Sequence, residues 1–78
     1  MELIEVTTRF DTRGKIIPVN FIWQGEKYPI EATGRSWEDE QGQHVLVMIA
    51  GGKVFELLYV PAEARWYLEQ TGARRATA

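Results

Sequence analysis

The segment from residue 17 to residue 30 constrains the fold of this chain more than any other. It reads Ile-Pro-Val-Asn-Phe-Ile-Trp-Gln-Gly-Glu-Lys-Tyr-Pro-Ile, so β-branched and aromatic residues recur along it and Gly25 interrupts them. Such residues fit a pleated, half-buried surface, and a glycine between two such runs is typical of a tight turn. The segment therefore predicts two strands joined by a hairpin.

Similar alternation of apolar and polar residues recurs on both sides of this hairpin. Five strands are predicted, over residues 2–10, 15–23, 27–33, 44–50 and 53–60. Residues 35–38 are expected to continue the third strand after a bulge near Gly34. Pro18 and Pro29 have no N–H group to donate to a neighbouring strand, so each is expected at an edge, a bulge or a bend.

Residues 61–72 are open to two interpretations. As a helix, the segment starts with Pro61, contains good helix formers and stops at Gly72. As a strand, residues 65–70 alternate about Trp66 and Leu68. We favour the strand, because a sixth strand can pair onto a meander.

The predicted fold is all-β: a five- or six-stranded antiparallel meander that forms a twisted sheet or a half-open barrel. A length of 78 residues allows one small domain, residues 1–72, and residues 73–78 are expected to be a flexible C-terminal tail. The chain has no cysteine, which excludes disulfides and thiolate metal sites, so the core depends on apolar packing. Eight residues are predicted to be mostly buried: Ile17, Val19, Phe21, Tyr28, Ile30, Val47, Leu57 and Trp66.

Charge and hydropathy narrow the class of protein. Nine basic and eleven acidic residues give a formal charge of −2, with both signs scattered along the chain, which disfavours a strongly basic nucleic-acid surface. The chain has no run of about 18 apolar residues, which a membrane span would need, so no membrane partner is expected. The first residues lack the layout of a signal peptide. We therefore expect a cytoplasmic protein.

One pattern extends over most of residues 4 to 70. Its members are Pro18, Phe21, Trp23, Gly25, Tyr28, Ile30 and Trp37, followed by Phe55-Glu56-Leu57 and Trp66-x-Leu68. In this respect the chain resembles small uncharacterised bacterial β domains with a P-x-x-F-x-W-x-G-x-x-Y core, some of which are associated with error-prone DNA-repair polymerase systems. The resemblance implies a β fold and a link to DNA metabolism, and it supplies no functional residues.

Two groups of side chains are candidate sites. The candidate contacts for a partner protein or a nucleic acid are Arg9, Arg13, Lys15, Arg35 and Trp37. His44 and the acidic residues 38–40 form the cluster that most resembles a metal or acid–base site. Successive residues of a strand alternate between faces, so at most two of the three acids can converge on the imidazole. An acidic loop tip is usually a solubilising turn, and we expect no catalytic residue, metal or cofactor.

These observations favour a non-enzymatic small β module that acts through protein–protein contacts, as a homodimer or as an accessory subunit. An open meander leaves unpaired backbone groups at its edges, and pairing with another chain would extend a thin core. The alternative is a nucleic-acid-binding accessory domain linked to DNA repair.

Overall fold

The computed structural model describes residues 1–70, which form one seven-stranded antiparallel sheet. The strands are β1 (Glu2–Phe10), β2 (Ile16–Trp23), β3 (Glu26–Pro29), β4 (Ala32–Glu38), β5 (Gln43–Met48), β6 (Val54–Val60) and β7 (Arg65–Gln70). This part of the chain contains no helix, and thus none long and apolar enough to cross a membrane. The predicted tail, residues 73–78, and the last two residues of the predicted domain lie outside the described residues.

The all-β prediction is confirmed, but the sheet has seven strands and not five or six. The additional strand arises because the predicted third strand divides into β3 and β4 at residues 30 and 31. The amide of Ile30 donates to the carbonyl of Val19 on β2 (2.9 Å), whereas the amide of Glu31 donates to the carbonyl of Met48 beside β5 (2.8 Å). The chain thus crosses from one side of the sheet to the other within two residues.

The strand order is β3-β2-β1-β7-β6-β5-β4, so β3 and β4 are the two ends of the sheet. Since these two strands are joined by the short crossing, the sheet curls into a half-barrel. The first residues of β1 pair with β7, and the rest of β1 pairs with β2. Residues 65–70 form a strand between β1 and β6, which confirms the strand interpretation of this segment and excludes the helix.

Apolar side chains from six of the seven strands fill the concave, inner face of the sheet. The buried members are Ile4, Phe21, Val47, Ile49, Phe55, Leu57, Trp66 and Leu68. Phe21 has no exposed surface, and its ring lies 5.4 Å from that of Tyr28 and 5.2 Å from that of Phe55. The predicted core is confirmed for Phe21, Val47, Leu57 and Trp66, while Ile17, Tyr28 and Ile30 are half-buried.

The prediction for Val19 is wrong, because this side chain is 39% exposed. The register between β1 and β2 shifts: Thr7 pairs with Asn20, and Thr8 pairs with Pro18. Val19 is the extra residue of a β-bulge. Before the bulge, even-numbered residues of β2 such as Pro18 therefore point to the core, whereas after it odd-numbered residues such as Phe21 do. Pro18 is buried instead. The expectation that Pro18 lies at an edge, a bulge or a bend is confirmed.

Candidate functional site

A cleft of about 820 Å³ opens where the half-barrel does not close. On one side, β2 pairs with β3 only from Asn20 onwards, so its first residues have a free edge. On the other side, β4 pairs with β5 and with no other described strand. The first wall carries Arg13, Lys15 and Ile16, and the opposite wall carries Thr33, Ser36 and Trp37. Tyr59 and Trp66 border the cleft from the inner face.

Asp11 organises the turn that carries the basic wall. Its Oδ1 accepts hydrogen bonds from the amides of Arg13 and Lys15, both at 2.8 Å. The amide of Lys15 is the main cause of a lowered pKa of the Asp11 carboxyl; desolvation opposes the shift, and the amide of Arg13 reinforces it. The carboxylate is used in the turn, and the side chains of Arg13 and Lys15 make no ion pair within 4 Å with any carboxylate of the described residues.

His44 lies on the outer face of β5 and is only 4% exposed. Its Nδ1 is 2.9 Å from Oε2 of Glu56 on β6, and its Nε2 is 2.9 Å from Oδ2 of Asp39 in the loop before β5. The first contact is a well-directed hydrogen bond. The second contact does not have hydrogen-bond geometry, and it is an ion pair when the imidazole is protonated.

The two carboxylates determine the charge of this imidazole. Burial alone lowers the pKa of His44, but the contacts with Asp39 and Glu56 outweigh it, and the net pKa lies above the usual 6.5. The contact with His44 is the main cause of a lowered pKa of Asp39; desolvation opposes the shift, and the amides of Gln41 and Gly42 reinforce it. The site therefore favours a charged imidazolium that joins the loop to β6.

Trp37 connects this cluster to the cleft. It pairs with His44 across the strands, and the two rings stack with centroids 5.0 Å apart and planes 2° from parallel. The guanidinium carbon of Arg35 lies 5.5 Å from the centre of the indole ring. The indole is thus already occupied by contacts within the protein.

The structure brings together most of the predicted contact residues. Arg13, Lys15 and Trp37 border the cleft. Arg35 does not border it, but its guanidinium lies over the ring of Trp37. Arg9 is exposed on β1 and is not one of the residues that border the cleft, although its partner Ile17 is.

The acidic cluster around His44 differs from the one suggested by the sequence. Asp39 contacts the imidazole, but Glu38 accepts a hydrogen bond from Gln43 (3.3 Å) and Glu40 is not a partner. Glu56 takes the second position, and no described group of three or more His, Cys, Asp or Glu residues is arranged to hold a metal ion. In the β5–β6 hairpin Leu46 lies opposite Glu56, and His44 is on the same face of β5 as Leu46, so His44 and Glu56 are diagonal neighbours. Aligning the two strands about Gly51-Gly52 is therefore the sequence signal that identifies Glu56.

Gly42 is expected to be essential for the loop that carries Asp39. A Cβ atom at this position would overlap the carbonyl oxygen of Tyr59, and φ is +153°. We expect Gly42→Ala to lower the free energy of unfolding by about 1–3 kcal/mol, because the backbone must shift to relieve the overlap. Urea denaturation measures the effect. Gly34→Ala is the control, since its Cβ would make only ordinary contacts with Leu46 at 3.8 Å; equal losses in both variants would contradict the prediction.

Comparisons of the chain with protein-family models, curated proteins and solved structures found no match. The resemblance to bacterial β domains stays a prediction, and the function is inferred from the geometry of the cleft.

Proposed function

We propose that this chain is a non-enzymatic interaction module whose cleft receives an extended, acidic segment of a partner protein as an added strand on β4. The observation that carries the proposal is the free edge of β4. This strand is hydrogen-bonded to β5 on one side, and its other side borders the cleft. An extended peptide can pair with such an edge through main-chain hydrogen bonds.

The pairing of β4 with β5 indicates which backbone groups are available. The amide of Asp39 donates to the carbonyl of Gly42 (3.0 Å), so this is a hydrogen-bonded pair. Bonded and non-bonded pairs alternate along an antiparallel ladder, so Trp37 shares the phase of Asp39. Ser36 is next to Trp37 and therefore has the opposite phase, so its N–H and C=O point away from β5 and towards the open edge. These are the groups that an added strand would meet first.

The charges of the opposite wall support an acidic ligand. Arg13 and Lys15 have no described ionic partner, whereas Asp11 is used in its turn and Glu38 is bonded to Gln43. Cations that face a groove raise the association rate of acidic partners and disfavour basic ones. Ile16 and the aromatic side chains of the inner face offer apolar contacts to alternate residues of the ligand.

Other activities have less support. The one histidine of the chain holds a carboxylate at each ring nitrogen and is nearly buried, so it is poorly placed to exchange protons with a substrate. Trp37 is already stacked on His44, which leaves less of its ring for an unpaired base.

Peptide titration tests the proposal. A capped eight-residue peptide of alternating glutamate and valine is titrated into the protein by calorimetry, and the lysine and valine counterpart is its control. We expect the acidic peptide to bind at least roughly tenfold more tightly. Absence of binding by either peptide, or equal binding by both, would contradict the proposal. Steeply salt-dependent binding of an oligothymidine, with none of the peptide, would favour the nucleic-acid alternative.

Matched variants locate the binding surface. Ser36→Pro removes the N–H that faces the open edge, whereas Ser36→Ala retains it, so only the first is expected to abolish peptide binding. The double variant Arg13→Glu/Lys15→Glu leaves the backbone edge of β4 unaltered and is expected to lose the preference for the acidic peptide. Full binding by both Ser36→Pro and the double variant, each folded by circular dichroism, would show that the cleft is not the site.

A further inference from the structure

Exposed apolar side chains of the described residues are concentrated on one part of the surface. Those that are large and exposed are Met1, Leu3, Phe10, Val19 and Ile22. All of them lie in or beside β1 and β2, and Phe10 borders the cleft. Single exposed apolar residues are ordinary, but their concentration on two neighbouring strands indicates a contact surface.

A row of three side chains crosses this part of the sheet on its outer face. Glu5 on β1 pairs with Ile22 on β2, and Ile22 pairs with Lys27 on β3. All three are exposed, because the residues next to them, Val6, Phe21 and Tyr28, point to the core. Read across the strands, the row is acidic, apolar and basic. We name it the outer row.

Neither charge of the outer row is neutralised within the described part of the chain. Glu5 and Lys27 lie on either side of β2, and two strand spacings separate them by about 9.5 Å. No ion pair within 4 Å involves either residue among those described. Arg65 on β7 borders the same shallow groove as Glu5 and Ile22 but forms no ion pair with Glu5. Within residues 1–70, each charge is thus available to a partner.

We infer that the outer row binds a second copy of this chain. If two copies face each other across a two-fold axis that runs along β2, Ile22 packs on Ile22 of the second copy. The same axis places Glu5 opposite Lys27 of the second copy and repeats the pairing on the other side. An interface between identical subunits requires such self-complementarity, and two sheets pack face to face with their strands nearly aligned.

The dimer and the cleft use different surfaces. None of the three residues of the outer row borders the cleft, so both copies keep their binding edge in the dimer. The inference therefore does not depend on the proposed peptide binding. The face is small, which predicts a weak dimer, formed at high micromolar concentration.

Charge reversal tests the two-fold arrangement, with sedimentation equilibrium of the full chain as the measurement. Glu5→Lys places two lysines opposite each other at both contacts, and Lys27→Glu places two glutamates there. Each variant alone is expected to dimerise at least roughly tenfold more weakly than the original chain. An equimolar mixture of the two variants restores opposite charges at both contacts and is expected to form a heterodimer. The double variant Glu5→Lys/Lys27→Glu is expected to recover self-association.

Two further variants complete the experiment. Ile22→Asp is expected to abolish the dimer, because it places two carboxylates on the axis. Lys53→Glu changes the charge by the same amount as Lys27→Glu but lies on the exposed β5–β6 turn, so it is expected to leave the dimer unchanged. The inference is wrong if the original chain stays monomeric at high micromolar concentration. It is equally wrong if the dimer forms and both single reversals leave it intact.

Discussion

Replacement of Phe21 by alanine is expected to destabilise the domain by about 3–5 kcal/mol. The ring is completely buried and lies in contact distance of two other aromatic rings, those of Tyr28 and Phe55. Its removal leaves a cavity on the concave face, between the rings of Tyr28 on β3 and Phe55 on β6. Small domains have about 5 kcal/mol of stability in total, so we expect Phe21→Ala to remove most of it. The melting temperature of this variant is then expected to lie close to 37 °C.

Thermal and urea denaturation measure this effect, and Val19→Ala is the matched control on the same strand. Val19 is at the bulge and 39% exposed, so its truncation is expected to cost less than about 1 kcal/mol. An unchanged melting temperature for Phe21→Ala, or an equal loss for Val19→Ala, would show that the inner face of β2 is assigned incorrectly.

The contrast between these two residues shows what the sequence can predict. Alternation identifies β2 as a strand, and it places Phe21 inside correctly. It cannot place Val19, because a bulge inserts one residue and exchanges the two faces, and the position of a bulge depends on the partner strand. Pro18 indicates that a bulge lies near this residue, but its exact position is determined by the pairing of β2 with Thr7 and Thr8.

The division of the third strand illustrates a second limit. Alternation continues through residues 30 and 31, so nothing local marks the point where the chain leaves β2 and joins β5. That point is set by hydrogen bonds to Val19 and Met48, which are distant in sequence. For the same reason the sequence predicts unpaired strand edges but not that two of them face each other across a cleft.

The candidate residues follow the same rule. Arg13 and Lys15 are neighbours of one turn, so their convergence can be predicted, whereas the approach of Trp37 from β4 requires the curled sheet. In the acidic cluster, Asp39 is close to His44 in sequence and was identified. Glu56 is twelve residues from His44 and reaches it only through the pairing of β5 with β6.

Replacement of His44 by glutamine is expected to lower the stability at mildly acidic pH by about 1.5–3 kcal/mol, the usual contribution of a hydrogen bond to a charged group. For a domain of this size the melting temperature is expected to fall by roughly 6–24 °C. Glutamine keeps a donor of similar length but carries no charge, so Glu56, whose side chain is 15% exposed, loses its cationic partner. The loop that carries Asp39 loses its ionic link to β5 at the same time.

The pH dependence separates this charge effect from a simple packing defect. The pKa of His44 is raised on folding, so its contribution is complete below 6.5 and is lost as pH rises through the folded-state value. The pKa of Asp39 is lowered on folding, so its contribution is present above 3.8 and is lost as pH falls through the folded-state value. The stabilisation by the pair is therefore greatest between these two limits.

We expect the difference in unfolding free energy between the original chain and His44→Gln to shrink as the pH rises above 6.5. Because the chain has one histidine, its imidazole signals in an NMR titration report this pKa directly. Glu38→Gln is the control, since Glu38 bonds to Gln43 and not to the imidazole, and its pH profile is expected to match that of the original chain. A His44 pKa at or below 6.5, or a constant difference in stability across this range, would show that packing against Trp37 and not the two carboxylates holds the imidazole in place.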